Sequence, residues 1–216
     1  MKTLFLNPPF HKMFSREQRS PAVTKSGTLY YPKWLAHAAG VAINDGFDVH
    51  FIDAPAPKFY YDKETVYDYL INHNINSLIV DTSTPSIYND IEVIKYLKSK
   101  NDNLKIMMVG RGVSVMPEKI MRENDFIDFV ALREYEYITR DWLKSIKSGD
   151  FNDFESIQGL VWRNNKEIIN NGPRDAIQNL DDLPFVSEVY KRFLNIEDYF
   201  YGHSLHPLVV FDTSRG

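Results

Sequence analysis

The chain has 216 residues, a formal net charge of −4, 44% hydrophobic residues and 25% charged residues. That composition belongs to an ordinary globular protein, and no apolar run approaches the roughly 20 residues that cross a bilayer. The 25 basic residues are scattered rather than massed against a phosphate backbone, so neither a membrane span nor a nucleic-acid partner is expected. The absence of Cys excludes disulfides, a thiolate nucleophile and any Cys-ligated cluster within this segment. Met1-Lys2 leads into a short apolar stretch and then Asn7-Pro8-Pro9, without the long apolar core of a signal peptide, and a cytoplasmic location is expected.

Short apolar runs alternate with longer amphipathic stretches, which predicts βαβ units and a parallel sheet covered on both faces. Strands are expected at residues 2–6, 48–52, 77–81, 105–109 and 126–130, and helices at 32–45, 63–72, 86–100, 117–123 and 136–147. Pro32 and Pro117 suit first helical turns, where a missing N–H costs nothing, and Gly46 can take the left-handed conformation that closes the first helix. In the third helix Ile87, Ile91, Ile94 and Leu97 recur at helical spacing, while Lys95, Lys98 and Lys100 gather near the C-terminus, where they favour the dipole. The expected fold is α/β, flavodoxin-like, with a five-stranded parallel sheet of order 2-1-3-4-5 filling residues 1–148.

Past Gly149-Asp150 the pattern changes. Residues 158–163 and 167–170 read as a hairpin turning through Asn164-Asn165-Lys166, where Asn tolerates positive φ. Residues 171–184, with Gly172-Pro173 and Asn179-Leu180-Asp181-Asp182-Leu183-Pro184, have the breakers and polarity of a linker. Residues 149–206 are therefore taken as hairpin and linker. A further strand is expected at 207–211, running into Asp212-Thr213-Ser214-Arg215-Gly216. A parallel strand needs neighbours and cover, so residues 207–216 read as the first strand of a second domain and the chain as the N-terminal part of a longer protein.

In an open parallel sheet, ligands bind beyond the C-terminal ends of the strands, where strand order reverses. Four loops fall there: Asn7-Pro8-Pro9-Phe10, Thr82-Ser83-Thr84-Pro85-Ser86, Gly110-Arg111-Gly112-Val113-Ser114 and Leu132-Arg133-Glu134-Tyr135-Glu136. Gly110 and Gly112 remove side chains where the backbone could approach a large flat ligand, and Ser83, Thr84 and Ser86 offer hydroxyls and helix N-terminal N–H groups to polar or phosphate groups. Each feature also has an ordinary reading, a tight turn for the glycines and an N-cap for the hydroxyls. A P-loop is absent, and a dinucleotide fingerprint fails because Gly110-Arg111-Gly112 follows the fourth strand and lacks the third glycine. A phosphate-accepting receiver domain would place its acceptor at Asp81, but Asn7-Pro8 and Leu132-Arg133 do not supply the acidic residues and Lys that it requires. His11, His37, His50, His73, His203 and His206 form no cluster with Asp or Glu at metal-ligand spacing, so no metal ligands are assigned.

At these loops the sequence resembles the cobalamin-binding domain of the cobalamin-dependent radical SAM family. The resemblance covers nearly the whole chain. It runs through Leu4-Phe5-Leu6-Asn7-Pro8-Pro9, the Ser/Thr loop 82–86, Val109-Gly110-Arg111-Gly112-Val113-Ser114 with Pro117-Glu118, and Arg133-Glu134-Tyr135-Glu136. Many relatives read V-G-G-P-H-x-[ST] and R-G-E-G-E at the last two, so Arg111 and Tyr135 stand where small residues are usual. Gly159-Leu160-Val161 and the 179–184 stretch resemble the connector before the family's barrel. Thr213-Ser214-Arg215-Gly216 resembles the residues just before its C-x-x-x-C-x-x-C motif. Tyr31-Pro32-x-Trp34-Leu35-Ala36 is similar to radical SAM proteins of hopanoid biosynthesis.

The resemblance implies that this domain holds cobalamin through Asn7, Pro8, Pro9, Thr82, Ser83, Thr84, Ser86, Gly110, Arg111, Gly112, Val113, Glu134 and Glu136. A barrel on the same polypeptide would supply a four-iron four-sulfur cluster and S-adenosylmethionine for methyl transfer or related radical chemistry, with no catalytic residue here. Cobalamin domains that ligate cobalt through His carry D-x-H-x-x-G after the first strand. His11 is displaced by two positions from that pattern, so the resemblance implies a cobalt without a His ligand. The rival expectation is a flavodoxin-like interaction or regulatory domain that binds no cofactor.

Overall fold

Alternation along the strands sorts their side chains into two cores. In β1 (Lys2–Asn7), Phe5 points to one face while Leu4 and Leu6 point to the other, as the two-residue repeat of a strand demands. The same division runs through β2 (Asp48–Asp53), β3 (Ser77–Thr82), β4 (Lys105–Gly110) and β5 (Phe129–Ala131), with Ile79, Met107 and Phe129 on the first face and Val80, Met108 and Val130 on the second. The computed structural model describes residues 1–17, 23–149 and 151–215; Asp150 and Gly216, at the edges of two expected segments, lie outside them.

The first core is closed by α1 (Lys33–Asn44), α6 (Glu136–Ser148) and α7 (Val186–Phe193), and the second by α2 (Lys63–Asn72), α3 (Ile87–Lys100) and α5 (Pro117–Glu123), with the single turn α4 (Arg111–Ser114) following β4. Caps follow from composition: the Asp62 carboxylate accepts from the Thr65 N–H at 2.8 Å before α2, and Gly149 takes a left-handed φ of 75° to end α6. The strands run β2-β1-β3-β4-β5 in parallel, which is the expected order. No helix among the described residues is long and apolar enough to cross a membrane.

The structure corrects several boundaries. β5 begins at Phe129 rather than 126, because the chain leaving α5 turns there, with the Ile127 N–H bonded to the Asn124 carbonyl. The hairpin, expected as an appendage, is part of the main sheet: β6 (Leu160–Asn164) and β7 (Glu167–Asn170) continue it antiparallel beyond β5, turning at Asn165 with φ 55°. The expected linker is docked. Arg174 pairs with Asp141, the Ile177 N–H bonds to Glu134, and Pro184 lies so close to Gly40 of α1 that a Cβ there would sit 2.8 Å from its ring. α7 was not expected, although Val186, Val189, Tyr190 and Phe193 have helical spacing and pack the first core. Residues 207–211, expected as a strand, pair with no other strand among the described residues. They are held at the start of α1 instead, where the Tyr31 hydroxyl donates to the Leu208 carbonyl and Lys33 meets Asp212 at 2.6 Å.

Candidate functional site

Beyond the C-terminal ends of β3, β4 and β5 lies a cavity of about 790 Å³, at the large end of the range for small-molecule sites. Its walls are the loops after β3 (Asp81, Thr82, Ser83, Thr84), β4 (Gly110, Arg111) and β5 (Arg133, Glu134, Tyr135, Glu136). Two further walls come from the long connection between β1 and α1, which contributes Arg16 and Glu17, and from the C-terminal segment with Asp212, Ser214 and Arg215. Arg215 is fastened within this wall: it pairs with Glu136 at 2.6 Å and Glu134 at 3.5 Å and lies 4.4 Å over the Trp34 ring.

Beneath the cavity a continuous hydrogen-bonded chain ties the loops together. Ser83 bonds Ser86, Ser86 donates to Asp90, and Asp90 accepts from Arg16 at 2.7 Å. Arg16 also donates to the Asn7 side chain and the Pro8 carbonyl, while Asn7 donates to Asp53, which accepts from the Tyr199 hydroxyl at 2.7 Å. Burial of this kind is tolerable only when polar groups are paired, and five atoms of the cavity wall have no hydrogen-bond partner among the described residues. They are Arg16 Nε, Glu17 Oε2, the Tyr135 hydroxyl, Asp212 Oδ2 and Arg215 Nη1, all sealed from solvent.

Electrostatics follow from that enclosure. Burial pushes the Asp81 carboxyl up to about 7 against the attraction of Arg16, and Asp53 up to about 6 despite its hydrogen bonds. Glu17 is held well above the ordinary carboxylate range, first by burial and then by the charge of Asp81. Burial and the neighbouring Asp81 and Glu17 raise the Tyr135 phenol too.

The glycines act differently from the sequence expectation. Gly110 has φ 92°, and a Cβ on it would collide with the Asp81 carboxylate and the Thr82 backbone; one on Gly112 would sit 2.8 Å from the Ser83 carbonyl. Both glycines let the β4 loop press onto the β3 loop, and the side chain they lack would meet that loop's backbone rather than the ligand space.

Of the residues singled out from sequence, the structure brings Thr82, Ser83, Thr84, Gly110, Arg111, Glu134 and Glu136 to this cavity. Asn7, Pro8 and Ser86 belong to the chain of hydrogen bonds below it, Gly112 lies against Ser83, and Val113 is wholly within the second core. Pro9 and the exposed His11 line a separate cavity of about 500 Å³ between the β1 loop and α2. Sequence reasoning missed Arg16, Glu17 and Asp81 as site residues. The signal was available: the connection from β1 to α1 is far longer than the few residues usual in such units, and long loops of that kind are commonly functional.

Residues 19–141, more than half of the chain, match the B12 binding domain family. The chain belongs to that family. It is 27% identical over 187 residues to an uncharacterized methyltransferase of Pyrococcus horikoshii, covering 87% of this chain and 38% of the relative. It is 25% identical over 219 residues to the anaerobic magnesium-protoporphyrin IX monomethyl ester cyclase of Synechocystis, covering all of this chain and 40% of that protein. This B12-binding domain thus spans well under half the length of the curated relatives it matches. Its fold is shared with a solved cobalamin-dependent S-adenosylmethionine radical enzyme, OxsB, at a TM-score of 0.61 and 13% identity over 81% of this chain and 22% of that one.

The residues present fit cobalamin. Carboxamides ring the corrin, each both donor and acceptor, and the cavity wall offers an unpaired N–H donor on Arg16, an unpaired acceptor on Glu17 and a phenol on Tyr135 that can serve as either.

Proposed function

We propose that this chain holds cobalamin in the cavity over β3, β4 and β5 as part of a radical SAM enzyme that carries out methyl transfer or related radical chemistry. A barrel on the same polypeptide would hold a four-iron four-sulfur cluster and S-adenosylmethionine, in the cytoplasm. The reading is carried by one observation: the span matching the B12 binding domain family includes the β3, β4 and β5 loops that enclose the large cavity. The names of the relatives, a methyltransferase and a radical enzyme among them, agree with it.

When bound, cobalamin supplies a cobalt centre able to carry an alkyl group. The chain's own residues bind and orient. Thr82, Ser83 and Thr84 with Gly110 and Arg111 form the floor, and Asn7, Arg16, Asp90 and Ser86 fix that floor to β1 and α3. Arg215, over the Trp34 ring, completes the wall. His11 lines the other cavity, so the cobalt would be held without a histidine ligand from this loop.

Incubation with hydroxocobalamin followed by desalting tests the assignment. Retained corrin absorbance in the visible supports it. Complete loss of corrin from folded protein favours an interaction domain with no cofactor.

A further inference from the structure

Carboxylates and cations border the cavity and the chain of bonds beneath it, and they do not match evenly. Arg16 gives its guanidinium to Asp90, Lys33 pairs with Asp212, and Arg215 spans Glu134 and Glu136. Arg111 and Arg133 are exposed, and neither makes an ion pair among the described residues. Glu17 and Asp81 stand in the wall with no ion pair among the described residues. Glu17 uses one oxygen to accept the Trp34 N–H at 3.3 Å, and Asp81 uses one for the Thr82 N–H at 3.0 Å. The second Glu17 oxygen is buried and has no hydrogen-bond partner among the described residues, and the same holds for the Tyr135 hydroxyl and Arg16 Nε.

We infer that Glu17 and Asp81 are the specificity determinants of the cleft, reading carboxamide groups on the corrin rim and rejecting a carboxylate in the same place. The inference rests on the cobalamin reading given above and adds what recognises the cofactor. An uncharged amide donates its NH₂ to the free Glu17 oxygen and accepts from Tyr135 or Arg16, which satisfies the orphaned atoms. A carboxylate has no proton to donate. At Glu17 it would set acceptor against acceptor in a buried wall that already carries two acidic groups, and the Arg16 guanidinium is already paired with Asp90. The groups facing the pair are Arg16 and Tyr135, with Asp53 on β2, Asp90 on α3, Lys33 on α1 and Arg111 on α4. Burial raises both carboxyls. A wall that resists its own negative charge resists another.

The test compares hydroxocobalamin with its monocarboxylic acids, in which a single propionamide of the corrin rim is hydrolysed to carboxylate, by absorbance titration of the chain. At least one monoacid isomer is expected to bind about tenfold or more weakly than hydroxocobalamin, the scale set by leaving buried polar groups unpaired. In Glu17→Gln with Asp81→Asn that discrimination falls to less than about threefold, because the amides keep the shape and remove the charge. Circular dichroism confirms that the double variant is folded, and the wild-type comparison stands without it. Equal affinity of wild type for hydroxocobalamin and all its monoacids overturns the inference while leaving the cobalamin reading intact. Discrimination unchanged in the double variant overturns it as well. Failure of hydroxocobalamin itself to bind folded wild-type chain overturns both readings.

Discussion

The Arg16 guanidinium lies 2.7 Å from the Asp90 carboxylate with both side chains essentially sealed from solvent, and through it the β1 loop is bound to the first turn of α3. Removing one partner strands a buried charge. Arg16→Met is expected to cost about 3–5 kcal/mol in urea unfolding, the range for breaking a buried pair. The double variant Arg16→Met, Asp90→Leu recovers part of that loss because no lone charge remains. A single-variant loss under about 1 kcal/mol would show the pair to be idle.

Gly112→Val should unfold or strongly destabilise the chain, by about 3 kcal/mol or more, since the new side chain must displace the Ser83 backbone. Thr84→Trp should behave in the opposite way. Thr84 is exposed on the cavity wall, so the variant keeps its melting temperature and loses corrin uptake. Thermal melts beside absorbance titrations separate the two, and a stable Gly112→Val protein would contradict the close approach of the loops.

Asp53 and Asp81 are pushed up by burial to about 6 and about 7. Between the unfolded value near 4 and those values the folded chain keeps protons that the unfolded chain has released, so these groups stabilise most at the acid side and less as pH rises. His37, lowered by burial to about 4, works in the opposite sense below its unfolded value. The difference between wild type and Asp81→Asn isolates the carboxyl. The variant should gain on the order of 2 kcal/mol relative to wild type on going from about pH 5 to about pH 8, measured by denaturant titration. A constant difference would show that Asp81 titrates normally.

Cobalt(II) bound to the chain should give an electron paramagnetic resonance spectrum that His11→Ala leaves unchanged, because His11 faces the smaller cavity. Nitrogen superhyperfine splitting that disappears in the variant would place His11 on the metal.

The parallel sheet was legible because its signals are local: each strand is a short apolar run, and each helix carries its own periodicity. The β3, β4 and β5 loops were legible for the same reason, since strand ends locate the crevice. Arg16, Glu17 and Asp81 were not, because what makes them a site is convergence from separate loops, and Asp81 in sequence is only a polar residue ending a strand. Gly112 was seen as a glycine near a ligand, whereas its reason is the Ser83 carbonyl, a neighbour 29 positions earlier. Residues 207–211 have strand composition but pair with no strand among the described residues, so tertiary context overrode propensity.

The β6–β7 hairpin bears on solubility. β5 is only three residues long and entirely apolar, Phe129-Val130-Ala131, and left as a sheet margin it would offer unpaired N–H and C=O groups to any passing chain. Antiparallel pairing with β6 consumes those groups and moves the margin outward to β7, four residues whose ends, Glu167 and Asn170, are exposed and polar. A short margin with a charge at one end is a poor template for strand addition. Deleting the hairpin should therefore expose β5 and promote concentration-dependent self-association rather than simple local fraying.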